Sequence, residues 1–147
     1  MKQIFRILFL ILTSLCLLNL DISAQFNLLG YKKDEIKDTC KRICELNNEL
    51  FTEYNDVIAF EGESSKTYCY FNKENIFNLC VIMPNGGNEF LYYIGEFEKN
   101  YKVLSPFKWY YEIKNESTLF SYLVTITVKN INFNNKEMNV FEFKLIE

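Results

Sequence analysis

The chain has 147 residues with 16 basic and 19 acidic side chains, a net charge of −3, and no histidine. The missing imidazole excludes Ser-His-Asp and Cys-His catalysis, His-ligated zinc and the commonest general base near neutral pH. A mildly acidic balance without a Lys/Arg cluster argues against nucleic acid as a partner, and against an anionic membrane.

At the start of the chain, Lys2 and Arg6 precede an apolar run over 7–18, and Ile22-Ser23-Ala24 precedes Gln25. These three zones predict a secretory signal peptide over 1–24, cleaved near Ala24-Gln25. One domain over 25–147 would then be secreted or periplasmic. The apolar run falls short of the roughly 20 residues of a spanning helix, so no stable membrane anchor is expected after cleavage. Leu15 precedes Cys16 where a lipoprotein signal carries a small residue. Loss of Lys2, Arg6 and Asp21 leaves 14 basic and 18 acidic residues.

From Asp34 to Tyr54 the apolar positions Ile36, Cys40, Ile43, Cys44, Leu50, Phe51 and Tyr54 recur at helical steps, with Asn47-Asn48 as a break or an early end. Three short β-like runs follow, over 57–61, 67–72 and 76–83. A hairpin between the second and third sets Cys69 opposite Cys80. It also puts Tyr68 and Tyr70 on a face with Phe77, Leu79 and Val81, which is the expected core side. After the break at Pro84-Asn85-Gly86-Gly87, helical spacing returns with Phe90, Ile94, Phe97, Tyr101 and Leu104. Asn88 is the expected cap and Glu89 the first-turn acid, and Ser105-Pro106 closes the helix. The last third alternates like strands: Trp109, Tyr111 and Ile113, then Tyr122, Val124, Ile126 and Val128, then Phe141, Phe143 and Leu145. The predicted fold is therefore α+β, an antiparallel sheet of about five to six strands with two helices packed on one face.

Residues 29–36, Leu-Gly-Tyr-Lys-Lys-Asp-Glu-Ile, resemble the opening of small exported bacterial domains with the β-lactamase-inhibitor-protein-like fold. In that family the lysine, glutamate and aliphatic residue start a short helix lying on an antiparallel sheet. The resemblance implies binding of other proteins through the sheet or its edges. It stops at Lys37-Asp38-Thr39-Cys40. Phe71-Asn72 followed by Cys80 is similar to uncharacterised exported proteins of Bacteroidetes-type genomes. Neither resemblance supplies a functional residue.

After signal cleavage the cysteines are Cys40, Cys44, Cys69 and Cys80, an even number in an export context. The register suggests a disulfide between Cys69 and Cys80. Bonds from Cys40 and Cys44 to the sheet, and unbonded buried thiols, fit the sequence as well. The carboxylate pairs Glu61 with Glu63 and Glu96 with Glu98 read as solvated faces. Alternation buries Trp109 and Tyr111 and leaves Tyr110 on the opposite face, so Tyr110 is the candidate for a binding surface. Asn115-Glu116-Ser117 fits an N-glycosylation pattern. No cofactor or metal site is expected. The sequence points to a non-enzymatic exported protein that binds a macromolecular partner, an envelope or extracellular protein, through its sheet face or edge. The alternative is a carrier of a small apolar ligand in an aromatic-lined pocket.

Overall fold

The computed structural model describes residues 28–114 and 121–146, so the predicted signal segment, its expected cleavage site and Asn115-Glu116-Ser117 lie outside the described residues. In chain order the elements are α1 (Lys33–Asn47), β1 (Leu50–Glu53), β2 (Val57–Glu61), β3 (Ser65–Phe71), β4 (Phe77–Pro84), α2 (Gly87–Asn100), β5 (Lys102–Ser105), β6 (Lys108–Lys114), β7 (Ser121–Phe133) and β8 (Lys136–Ile146). A helix followed by four strands thus occurs twice.

The eight strands form one antiparallel sheet in the order β1-β2-β3-β4-β8-β7-β6-β5. The α+β class with two helices and an antiparallel sheet is as predicted, but eight strands replace the expected five to six. The two additional strands, β1 and β5, are four-residue edges directly behind the helices. Their apolar residues continue the helical spacing of the preceding element, which conceals them in the sequence. What ends α1 is Asn48, whose left-handed φ of 55° an asparagine tolerates better than most residues. The next N–H, that of Glu49, bonds back to the Cys44 carbonyl at 2.9 Å. At the other end of α1 the Glu35 carboxylate accepts the Lys32 N–H at 3.0 Å. Helix α2 is capped at Gly86, so Asn88 falls inside the helix, while Glu89 holds the expected first turn.

Directly opposite residues in a sheet share a face. Ile58, Cys69, Cys80, Phe143, Ile126 and Trp109 line up across β2, β3, β4, β8, β7 and β6, and all are buried. Helix α2 packs on this face. Its Phe97 ring lies 5.5 Å from those of Trp109 and Phe143 and 5.0 Å from that of Phe141. Helix α1 packs on the same face over the other half, because Glu53, which stands opposite Ile58, is ion-paired with both Lys33 and Lys37. Ile36, Cys40 and Cys44 are the buried stripe of α1.

The predicted hairpin register holds, with Cys69 opposite Cys80. Its turn is shaped by Asn72, whose Oδ1 accepts the N–H groups of Glu74 and Ile76, each at 2.9 Å, and a bulge at Tyr70/Phe71 absorbs the extra residue. The predicted face holds only for Phe77, which the bulge brings opposite Phe71 and into the core. Core packing takes the Cys69/Cys80 side, so Tyr68, Tyr70, Leu79 and Val81 turn to the opposite side of the sheet.

Candidate functional site

That opposite side is covered by no described helix. Register aligns Val57, Tyr70, Leu79, Lys144, Thr125, Tyr110 and Lys102 in one row across it, from β2 to β5. A neighbouring row runs through Ala59, Tyr68, Val81, Glu142, Thr127 and Lys108. The two rows share a gradient. On β2, β3 and β4 they are aromatic and aliphatic, and on β8, β7 and β6 they are mostly charged or hydroxylated. Tyr70 is 36% exposed, and Tyr68, Leu79 and Val81 are half-buried. A ring that keeps part of its surface dry against sheet neighbours and offers the rest to solvent is suited to a protein contact.

Tyr110 lies on this uncovered side, as its alternation predicts, and it shares its row with Tyr70. Opposite Tyr110 on the edge strand, the Lys102 ammonium sits 5.6 Å from the phenol ring centroid. Beside them is an open groove of about 370 Å³, lined among others by Tyr101, Lys102, Tyr110, Tyr111, Glu112 and Leu123. Tyr101 and Tyr111 stack at 4.7 Å between centroids. Burial pushes both phenols above their ordinary range, so they stay neutral and offer O–H groups rather than phenolate.

The cysteines form a second concentration of chemistry, on the helix side. Cys40, Cys44, Cys69 and Cys80 are all buried thiols, and Cys69 stands directly opposite Cys80. Burial pushes Cys40 and Cys44 up to about 12, which keeps them protonated and poorly nucleophilic. Among the described residues no three His, Cys, Asp or Glu side chains are grouped to hold a metal ion. Of the carboxylates singled out in the sequence, Glu61 pairs with Lys66 and Glu96 with Lys99, each at 2.9 Å.

Sequence reasoning put Tyr110 on the face of the sheet it occupies and hid Tyr68 and Tyr70 in the core. The signal that separates the two faces of the hairpin is the cysteine pair itself. Free cysteine is among the most buried residue types, and that favours the Cys69/Cys80 face for the interior. Comparison of the chain with family models, with curated proteins and with solved structures gives no match.

Proposed function

We propose that this chain is an exported, non-catalytic protein that binds a macromolecular partner, an envelope or extracellular protein, through the uncovered face of its sheet. The observation that carries the reading is the pair of rows on that face, apolar and aromatic at Tyr68, Tyr70, Leu79 and Val81 and charged at Lys144, Glu142 and Lys108. Such a surface supplies a partly desolvated aromatic patch with charged groups beside it, the mixture that many protein interfaces use. The test is photo-crosslinking from position 70 and from position 110, with position 92 on the exposed side of α2 as control. One discrete adduct from 70 and 110 that an excess of unlabelled protein abolishes is the expected result. Equal labelling from all three positions, or none, would overturn the reading.

A second reading rests on the groove beside Tyr110. Its volume and its stacked Tyr101/Tyr111 wall suit a small, largely apolar ligand. Native mass spectrometry of the freshly purified protein distinguishes the two. A co-purifying small molecule lost in Tyr111→Ala favours the carrier, and a bare chain rejects it.

A further inference from the structure

In an antiparallel ladder, opposite residues alternate between pairs that exchange two backbone hydrogen bonds and pairs that exchange none. The Cα atoms of the second kind lie about 4.5 Å apart, with their side chains closer. The register of β3 and β4 settles which kind the two cysteines are. The Asn85 N–H donates to the Ser64 carbonyl at 2.9 Å, so Ser64/Asn85 is a bonded position. Counting inward, Lys66/Met83, Tyr68/Val81 and Tyr70/Leu79 are bonded, while Ser65/Pro84, Thr67/Ile82 and Cys69/Cys80 are not. Pro84, which has no N–H to give, sits where none is needed.

The other neighbour of β3 agrees. Phe71 donates to the Asp56 carbonyl at 2.9 Å and the Ser65 carbonyl accepts from Gly62 at 3.0 Å, so odd-numbered residues of β3 turn their backbone groups toward β2. Cys69 therefore meets Cys80 at a non-bonded position, at the short end of the Cα range of about 4.4–6.8 Å that disulfides span. Both residues belong to the buried cluster on the helix side, opposite each other in register.

We propose that Cys69 and Cys80 are the site of a disulfide bond across β3 and β4, with Cys40 and Cys44 left as thiols. Cys40 and Cys44 stand one helical turn apart, where Cβ atoms are about 5–6 Å from each other. A disulfide needs about 3.5–4.5 Å, so that pair cannot close without unwinding α1. The remaining rivals are bonds from Cys40 or Cys44, on the buried stripe of α1, to a sheet cysteine in the same buried cluster.

The bond forms by exchange with a small disulfide such as oxidised glutathione. The thiolate of one cysteine attacks the glutathione disulfide, forming a mixed disulfide and releasing one glutathione thiolate. The thiolate of the second cysteine then attacks the protein sulfur of that mixed disulfide and releases the other. One protein S–S bond replaces one glutathione S–S bond. The protein dithiol is oxidised, the glutathione disulfide is reduced, and the two thiol protons end on the two glutathione molecules. Because burial raises the Cys69 thiol well above its ordinary range, thiolate is scarce once α1 covers the sheet. Exchange therefore belongs to the folding chain or to an opened state, and the finished bond is shielded from reductants by the same helix.

The test is to unfold the full chain in reductant, refold it with oxidised and reduced glutathione, block remaining thiols under denaturing conditions and cleave after lysine and arginine. Cys40 and Cys44 then fall in the peptides 38–41 and 43–66, and Cys69 and Cys80 in 67–73 and 74–99. The expected result is 67–73 joined to 74–99 in most of the chains, with the other two peptides blocked. The same link should persist in the double variant Cys40→Ser, Cys44→Ser. A link from 38–41 or 43–66 to either sheet peptide, or blocking agent on Cys40, Cys44, Cys69 and Cys80 alike after refolding, overturns the proposal.

Discussion

Phe97 is the side chain on which the second half of the core converges. It is fully buried, and its ring meets those of Tyr93, Tyr101, Trp109, Phe141 and Phe143. Cutting it to alanine removes the ring from between α2 and the two strands β6 and β8, which cannot collapse together to fill the space. Phe97→Ala is therefore expected to cost about 3–5 kcal/mol in urea unfolding, against a stability of about 5–15 kcal/mol for ordinary domains. Leu91→Ala, at a residue 67% exposed on the same helix, should stay within about 0.5 kcal/mol.

Lys33 does comparable work for the first half. Its ammonium donates to the Tyr54 carbonyl at 2.6 Å and the Asn55 carbonyl at 3.1 Å, and pairs with Glu53 at 3.1 Å. It thereby ties the start of α1 to the β1–β2 turn. Lys33→Met leaves two partly buried carbonyls without this donor and should destabilise by about 1–2 kcal/mol. The hydrogen bond from Lys37 and then that from Lys33 hold the Glu53 carboxyl below the usual carboxylate range. The folded chain thus binds the Glu53 proton less readily than the unfolded chain does. The associated stability is complete above the ordinary carboxylate pKa and is lost as pH falls through the lowered folded value. Unfolding measured from neutral to acid pH should show Glu53→Gln with a shallower acid decline than the wild type.

Among the elements, the turn between β5 and β6 carries the most conspicuous local conflict. Pro106 is followed by Phe107 at φ 58°, and the Phe107 carbonyl accepts the Val128 N–H at 3.1 Å. A bulky residue in the left-handed region costs about 1–2 kcal/mol, and glycine adopts it freely. The ring is 56% exposed, so little packing is lost with it. Phe107→Gly should therefore raise the stability by about 1 kcal/mol, read as a higher denaturant midpoint with an unchanged slope.

The same edge shows where the sequence stops being legible. Long periodic stripes announced α1, α2 and the long strands of the second half, and counting outward from the β3–β4 turn was enough to oppose Cys69 and Cys80. Four-residue edges such as β1 and β5 span about one helical turn, too short for a period of two to be told from one of 3.6. The faces of β3 and β4 were illegible for another reason. Both sides of that hairpin are apolar, with Tyr68, Tyr70, Leu79 and Val81 on one and Cys69, Phe71, Cys80 and Ile82 on the other. Alternation names the two sets, and only the habit of free cysteine to be buried separates them. Tyr110 was readable because the strand around it buries Trp109 on one side and sets lysine and glutamate on the other.

On the scale of the whole molecule, two units of one helix and four strands meet along the β4–β8 ladder from Leu79/Lys144 to Ile82/Phe141. Backbone pairing is not the only tie. Tyr93 of α2 shares a hydrogen bond of 3.0 Å with Ser65 of β3, and both side chains are buried. Phe90, Tyr93 and Phe97 of α2 all meet Phe141 of β8, the direct neighbour of Ile82 on β4. Buried residues of both units form a single cluster, from Ile36 and Cys40 to Trp109 and Ile126. Separating the units would expose the inner edge of β4 and half of that cluster to water, so neither should persist while the other melts. The chain carries natural probes for each side of the seam. Its single tryptophan, Trp109, is in the second unit, while the buried thiols of Cys40 and Cys44 are in the first. Tryptophan emission and the labelling of Cys40 and Cys44, followed through one urea series, should give coincident midpoints. A thiol transition that precedes the fluorescence transition would mean that α1 and its strands open as a separate cooperative unit, and that the ladder and the Tyr93–Ser65 contact do not couple the halves.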